Sequence, residues 1–264
     1  MDYQAAVLQL KDDLRLRTEP LGVNFLKDAA ELPDKTRRPS EVLKKKVTIC
    51  QGLTMARSYG WSVGLTKDDL ICIPAMLAFG LTPAADPVTE LGQLFCAVGF
   101  HAEAGPGIQE AQALPRLAPG QLAALYLSPL ARARLDPDIV VIYGNPAQLI
   151  RLIGAATFSF QNRVTGSFGG KVECAEYLIG PYQSQQMRVA IPGLGDRIFS
   201  MTQDDEMVMA FPVQFLEGLL VGLKQAGRQI GARYPITFYQ NFQPEFPKPY
   251  QELAQKLGIA NINF

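Results

Sequence analysis

Three of the four cysteines in this 264-residue chain stand where the sequence predicts a helix to begin. Cys50 closes the β-branched run Val47-Thr48-Ile49 and opens residues 51–57. Cys72 follows Leu70-Ile71 and leads into residues 74–80. Cys174 follows the glycine-rich residues 166–170 and leads into residues 175–178. A helix N-terminus carries unpaired N–H groups and about half a positive charge, which favours a thiolate over a thiol. Thiolates bind metals and attack electrophiles, so Cys50, Cys72 and Cys174 are expected to converge on one site. An iron–sulfur cluster is the leading occupant, with Cys96 or a non-protein group as fourth ligand. No C-x-x-C occurs, which removes the zinc-ribbon, thioredoxin-like and ferredoxin signatures. The competing reading treats each cysteine as a small buried hydrophobe. It is strongest for Cys96, expected mid-strand between Phe95 and Ala97.

Other chemistry is thinner. Residues 165–171, Thr-Gly-Ser-Phe-Gly-Gly-Lys, fail the phosphate-loop and dinucleotide fingerprints. Gly169 and Gly170 would still let backbone N–H groups approach a ligand, with Lys171 complementing an anion; the plain alternative is a tight turn. Arg197, beside Asp196, is a candidate carboxylate or phosphate clamp or an ordinary turn residue. The acids Asp204-Asp205-Glu206 read as a solvated loop before a metal site. The single histidine, His101, reads as a structural or surface residue and not a catalytic one, since a Ser-His-Asp triad would have to use it and no G-x-S-x-G elbow accompanies it.

The elements that would position these groups follow from pattern. Residues 2–17 form an amphipathic helix ended by Pro20, and residues 21–26 a strand. Thr66 and Asp69 frame a brief helical turn over 68–71 ahead of Cys72. Residues 92–100 read as a strand and 122–127 as a turn. The Gly-, Pro- and Ala-rich stretch 103–120 reads as a loop with a short helix, and as the junction if a compact single domain (1–264) divides into two lobes. Residues 138–143 and 206–211 are strands, each followed by a proline that opens a helix and a glutamine two positions on. The pair is a candidate internal duplication, with chance as competitor. Residues 187–191 and 197–201 around Pro192-Gly193-Leu194-Gly195-Asp196 read as a β-hairpin. The aromatic, proline-rich tail reads as an extended strap closed by a helix at 250–257. The fold class expected is α+β, a mixed or antiparallel sheet flanked by helices.

Lys plus Arg equals Asp plus Glu at 25 each, so no net field draws the chain to nucleic acid or an anionic membrane. The basic cluster at 35–46 lacks interleaved aromatics and reads as a solvated loop and helix start. No secretory signal or membrane span is visible, so a cytoplasmic location with reduced thiols is expected.

Several short motifs occur in an order that resembles a known family. They are Pro20-Leu-Gly-Val-Asn-Phe25, Thr48-Ile-Cys50 with Ala56-Arg57, Cys72 ahead of Phe79-Gly80-Leu81, Gly170-Lys-Val-Glu-Cys174-Ala-Glu176, Ile191-Pro-Gly-Leu-Gly-Asp-Arg197 and Asp205-Glu-Met. Their succession, over most of the chain, is similar to the bacterial and archaeal domain of unknown function 169 family. The resemblance implies a cytoplasmic protein, frequent in anaerobes, without an established activity. One departure is Ile73-Pro74 after Cys72, where the family pattern suggests small residues. The expected function is cofactor binding at a cysteine-thiolate site. The alternatives are a thiol enzyme acting on a small anionic metabolite through Cys174, Lys171 and Arg197, and a non-catalytic binding or assembly module with structural cysteines. The expected partner is a small molecule or metal, with homo-oligomerisation left open.

Overall fold

The apolar runs Leu21–Leu26, Ala124–Pro129 and Ile139–Gly144 are buried at every position. A strand buried on both faces must lie inside a sheet covered on both sides. The computed structural model of the chain, which describes residues 1–161, 163–236 and 247–259, has that arrangement. Its strands are β1 (Leu21–Leu26), β2 (Val63–Thr66), β3 (Ala124–Pro129), β4 (Ile139–Gly144), β5 (Arg188–Ala190) and β6 (Met207–Pro212). Among the described residues they form one sheet in the order β2-β3-β1-β4-β6-β5, with every neighbouring pair antiparallel. The principal helices are α1 (Tyr3–Leu14), α2 (Ile49–Tyr59), α3 (Ile73–Ala78), α4 (Pro87–Ala97) and α5 (Ala104–Ala113). They continue with α6 (Pro146–Phe160), α7 (Leu194–Ser200) and α8 (Leu216–Gln225). The chain is α+β, as expected. Among the described residues no helix is long and apolar enough to cross a membrane.

The two-residue period of β4 divides the core. Ile139, Val141 and Tyr143 join Val23, Leu125 and Leu127 beneath α2, α3 and the segment around Tyr177. Val140 and Ile142 join Met209 and Phe211 on the other face, against α1, α6 and α8. The first face carries the cysteines.

The two strand-Pro-helix units lie side by side. β4 and β6 pair from Ile139↔Pro212 to Gly144↔Met207, and α6 packs on α8. Their glutamines differ in role. Gln148 closes a capping box with Asn145, whereas Gln214 sits in a 3-10 turn, Val213–Phe215.

Three local expectations are corrected. Residues 92–97 belong to α4, not a strand. Asp86 caps it by accepting from Thr89 N, Pro87 opens it, and buried Leu91 and Phe95 fall one turn apart. Cys96 is therefore helical. The short helix expected within 103–120 is α5, residues 104–113, which crosses α4 so closely that a Cβ on Gly107 would lie 2.5 Å from the Gly92 carbonyl oxygen. The expected turn at 122–127 falls largely in β3. The expected hairpin is absent as well: β5 pairs with β6, and the chain after Gly193 becomes α7 because Asp196 accepts from Gly193 N and caps it. The 237–246 part of the expected strap lies outside the described residues, and the closing helix is Lys248–Lys256.

Candidate functional site

Local sequence chemistry brings each cysteine to its place. Thr48 and Gln51 close a reciprocal capping box, so α2 begins with Cys50 in its first turn. Cys72 is the residue at which α3 starts, ahead of Pro74. Cys174 precedes a wide helical turn, Ala175–Ile179, entered through positive φ at Gly170 (76°) and Val172 (55°). These three starts, with α7 and the end of α4, enclose a cavity of about 560 Å³.

Cys50, Cys72 and Cys174 all line it, together with Lys171, Glu173 and Asp196. Its mouth is apolar: Ile71, Ile73, Val98, Phe100, Ile198 and Phe199 line it while remaining exposed, Ile198 to 69%. Gly170 belongs to the lining. Gly169, Arg197 and Cys96 do not, although the neighbours Leu94 and Phe95 do. The Arg197 guanidinium donates to the carbonyls of Gln203 and Glu206 instead of a ligand position. Gly169 acts one step back, through its N–H to Glu173.

Burial works against the expected thiolate character. Burial pushes the Cys50 thiol up to about 12 and raises Cys72, and it lifts Cys174 well above the ordinary thiol range. The Asp196 carboxylate adds to all three shifts. A helix terminus contributes about 0.3–1 kcal/mol, whereas full burial moves a pKa by as much as 3–5 units. Desolvation outweighs the helix terminus and favours the thiol form at all three. The Cys50 thiol hydrogen-bonds with Thr48 Oγ1 at 2.9 Å and donates to the Gly195 carbonyl at 3.7 Å. Among the described residues, no group of three or more His, Cys, Asp or Glu side chains is arranged to hold a metal ion.

Two carboxyls at the cavity escaped the sequence reading. Glu173 is 1% exposed. Its Oε1 accepts from Gly169 N at 2.8 Å and Gly170 N at 2.5 Å, while among the described residues Oε2 has no hydrogen-bond partner. Burial raises its pKa to about 7 against the pull of those two N–H groups. Asp196 accepts from Tyr177 Oη at 2.7 Å and Gly193 N at 3.1 Å, and burial raises it too. Lys171 is engaged elsewhere: its ammonium donates to Glu110 Oε1 at 2.5 Å and to the Gly169 carbonyl, over the Phe95 and Phe100 rings. Glu110 in turn bonds His101, in keeping with a structural histidine.

Behind Asp196 runs a buried polar chain. Tyr177 Oη accepts from Tyr143 Oη at 3.3 Å, and the Arg57 guanidinium lies 4.0 Å from the Tyr143 ring centroid. Arg57 pairs with Glu206 at 2.7 Å, both nearly fully buried. Glu206 is thus no part of a solvated acidic loop. Nor is the basic cluster at 35–46 wholly solvated, since Arg38 pairs with fully buried Asp69 at 2.9 Å.

A family model described as an uncharacterised ArCR, the domain of unknown function 169, matches residues 9–221. The chain belongs to that family. This domain of unknown function 169 protein is also 22% identical to an uncharacterized protein of Methanocaldococcus jannaschii, MJ0308, over 205 residues. That match covers 77% of the chain and 86% of its relative. No solved structure matches it. The family match spans Cys50, Cys72, Cys174, Glu173 and Asp196, so the cavity lies within the family region.

Proposed function

We propose that the chain is a binding protein for a small, largely apolar ligand or cofactor, held in the three-cysteine cavity. The observation that carries this reading is the cavity's make-up: a broad apolar mouth over a narrow floor of thiols and carboxyls. Ligand sites are typically apolar hollows of about 300–1,000 Å³ with a few convergent polar groups. Protonated thiols are poor nucleophiles and good small hydrophobic contacts, which favours binding over thiol chemistry.

Gly195 offers a clean test. It lines the cavity, and a Cβ there would meet only Phe199 Cδ2, at 3.9 Å. Gly195→Phe therefore places bulk at the site without a backbone collision. The neutral dye Nile red is expected to bind the wild-type chain once, with enhanced fluorescence. The variant is expected to bind at least about tenfold more weakly at unchanged circular dichroism. Equal binding by a folded variant would contradict the proposal.

An iron–sulfur cluster on Cys50, Cys72 and Cys174 is a second reading: the three line one cavity, although as placed they are not arranged to hold a metal ion and would have to draw together around it. A cation there would offset the burial that now keeps each thiol protonated. Iron and sulfide analysis of anaerobically purified protein decides between the two.

A further inference from the structure

The floor of the cavity carries one feature that an apolar ligand alone does not explain. Glu173 is buried, and two backbone N–H groups of the Gly169-Gly170 turn fix one of its oxygens. The other oxygen, Oε2, has no partner among the described residues. A buried carboxyl oxygen without a donor is costly, so a ligand that supplies one gains strongly. Gly170 has φ 76°, which permits the turn that aims both N–H groups at the same oxygen.

The charges around it set the sign of the ligand. Glu173 and Asp196 line the cavity with Lys171, and the Lys171 ammonium is already bound by Glu110 and the Gly169 carbonyl. Asp196 already accepts from Tyr177 and Gly193. Glu173 is left as the carboxyl with open capacity, and the lining holds two carboxyls against one ammonium that is already paired outside it. The cavity is therefore unsuited to a small anionic metabolite. Its mouth suits an alkyl or aryl body.

We propose that Glu173 Oε2 is the recognition point for the ammonium group of an amphiphilic amine whose apolar body lies against Ile71, Ile73, Phe100, Ile198 and Phe199. This inference rests on the cavity being a ligand site and specifies the chemical class of that ligand. Binding is a non-covalent ion pair in which the ammonium donates to Oε2, the strong charge-assisted form of hydrogen bond.

The test is Nile red displacement by hexylammonium, hexanol and hexanoate, with the full chain and with Glu173→Gln. The amide of the variant can still accept from Gly169 and Gly170 N–H but presents a donor in place of Oε2. In the wild type, hexylammonium is expected to displace the dye at least about tenfold more effectively than hexanoate, with hexanol between them. In Glu173→Gln the ratio is expected to fall close to one. Equal displacement by the amine and the acid in the wild type overturns the assignment while leaving the cavity a ligand site. So does an amine preference that survives in the variant. The wild-type ratio suffices if the variant fails to fold. Absence of Nile red binding to the wild type would remove the ligand site itself, and this inference with it.

Discussion

Arg57→Ala is expected to lower the unfolding free energy by about 3–5 kcal/mol, because it strands a buried carboxylate. Arg57 and Glu206 meet through both guanidinium ends, Nη1 to Oε1 at 2.7 Å and Nη2 to Oε2 at 3.2 Å. Without the arginine, Glu206 retains the N–H of Gln203. Thr202 loses a donor as well, and the Tyr143 ring loses its cation. The double replacement Arg57→Met with Glu206→Leu is expected to recover most of that loss, since removing both charges leaves neither unpaired. Urea unfolding midpoints of the two variants test this. A single variant within about 1 kcal/mol of wild type would show that the pair contributes little. The consequence reaches the cavity, because Arg57, Tyr143, Tyr177 and Asp196 stand in series behind its floor.

Glu173→Gln is expected to stabilise the chain by about 3 kcal/mol at pH 8 and to have little effect near pH 4.5. Burial raises the Glu173 pKa from 4.5 to about 7 in the folded chain. Between those values the folded state holds more protons than the unfolded state, so stability falls as pH rises. The favourable contribution is fully present below about 4.5 and lost above about 7. An amide has no proton to lose and keeps its acceptor toward Gly169 and Gly170. Thermal unfolding of wild type and variant at the two pH values gives the difference directly. A variant less stable than wild type at pH 8 would mean that the ionised carboxylate is well solvated or paired, against the burial described. Ligand-site carboxyls often trade stability for recognition in this way.

The cysteine positions were readable because helix starts are local events. Thr48 with Gln51, Pro74 after Cys72 and the glycines before Cys174 are all short-range signals. Their meeting at one cavity was an expectation from type and placement, and the fold supplied the geometry. The burial that opposes a thiolate was not readable, since a sequence reveals a helix terminus but not its depth in the fold. Cys96 and residues 197–201 lie in helices and not the expected strands for a related reason. Short apolar runs fit strand and helix alike, and Asp86 and Asp196, the capping residues that decide, act through single hydrogen bonds. Arg57 and Glu206 lie 149 residues apart, and no local pattern joins them. Glu173 left a weak trace, an acid three residues beyond a Gly-Gly pair, but its orphaned oxygen exists only in the packed structure.

The central claim, that Cys50, Cys72 and Cys174 share a ligand chamber that excludes Cys96, is tested most directly by residue-resolved alkylation. The full chain would be treated with N-ethylmaleimide at neutral pH, with and without saturating Nile red, and each cysteine quantified by peptide mass spectrometry. Cys50 and Cys174, buried as protonated thiols, are expected to react slowly. Half-buried Cys72 is expected to react faster and to be protected by the dye, while half-buried Cys96 reacts alike in both conditions. Bound dye that leaves Cys72 as reactive as before, or protects Cys96 equally, would place the ligand elsewhere and contradict the account.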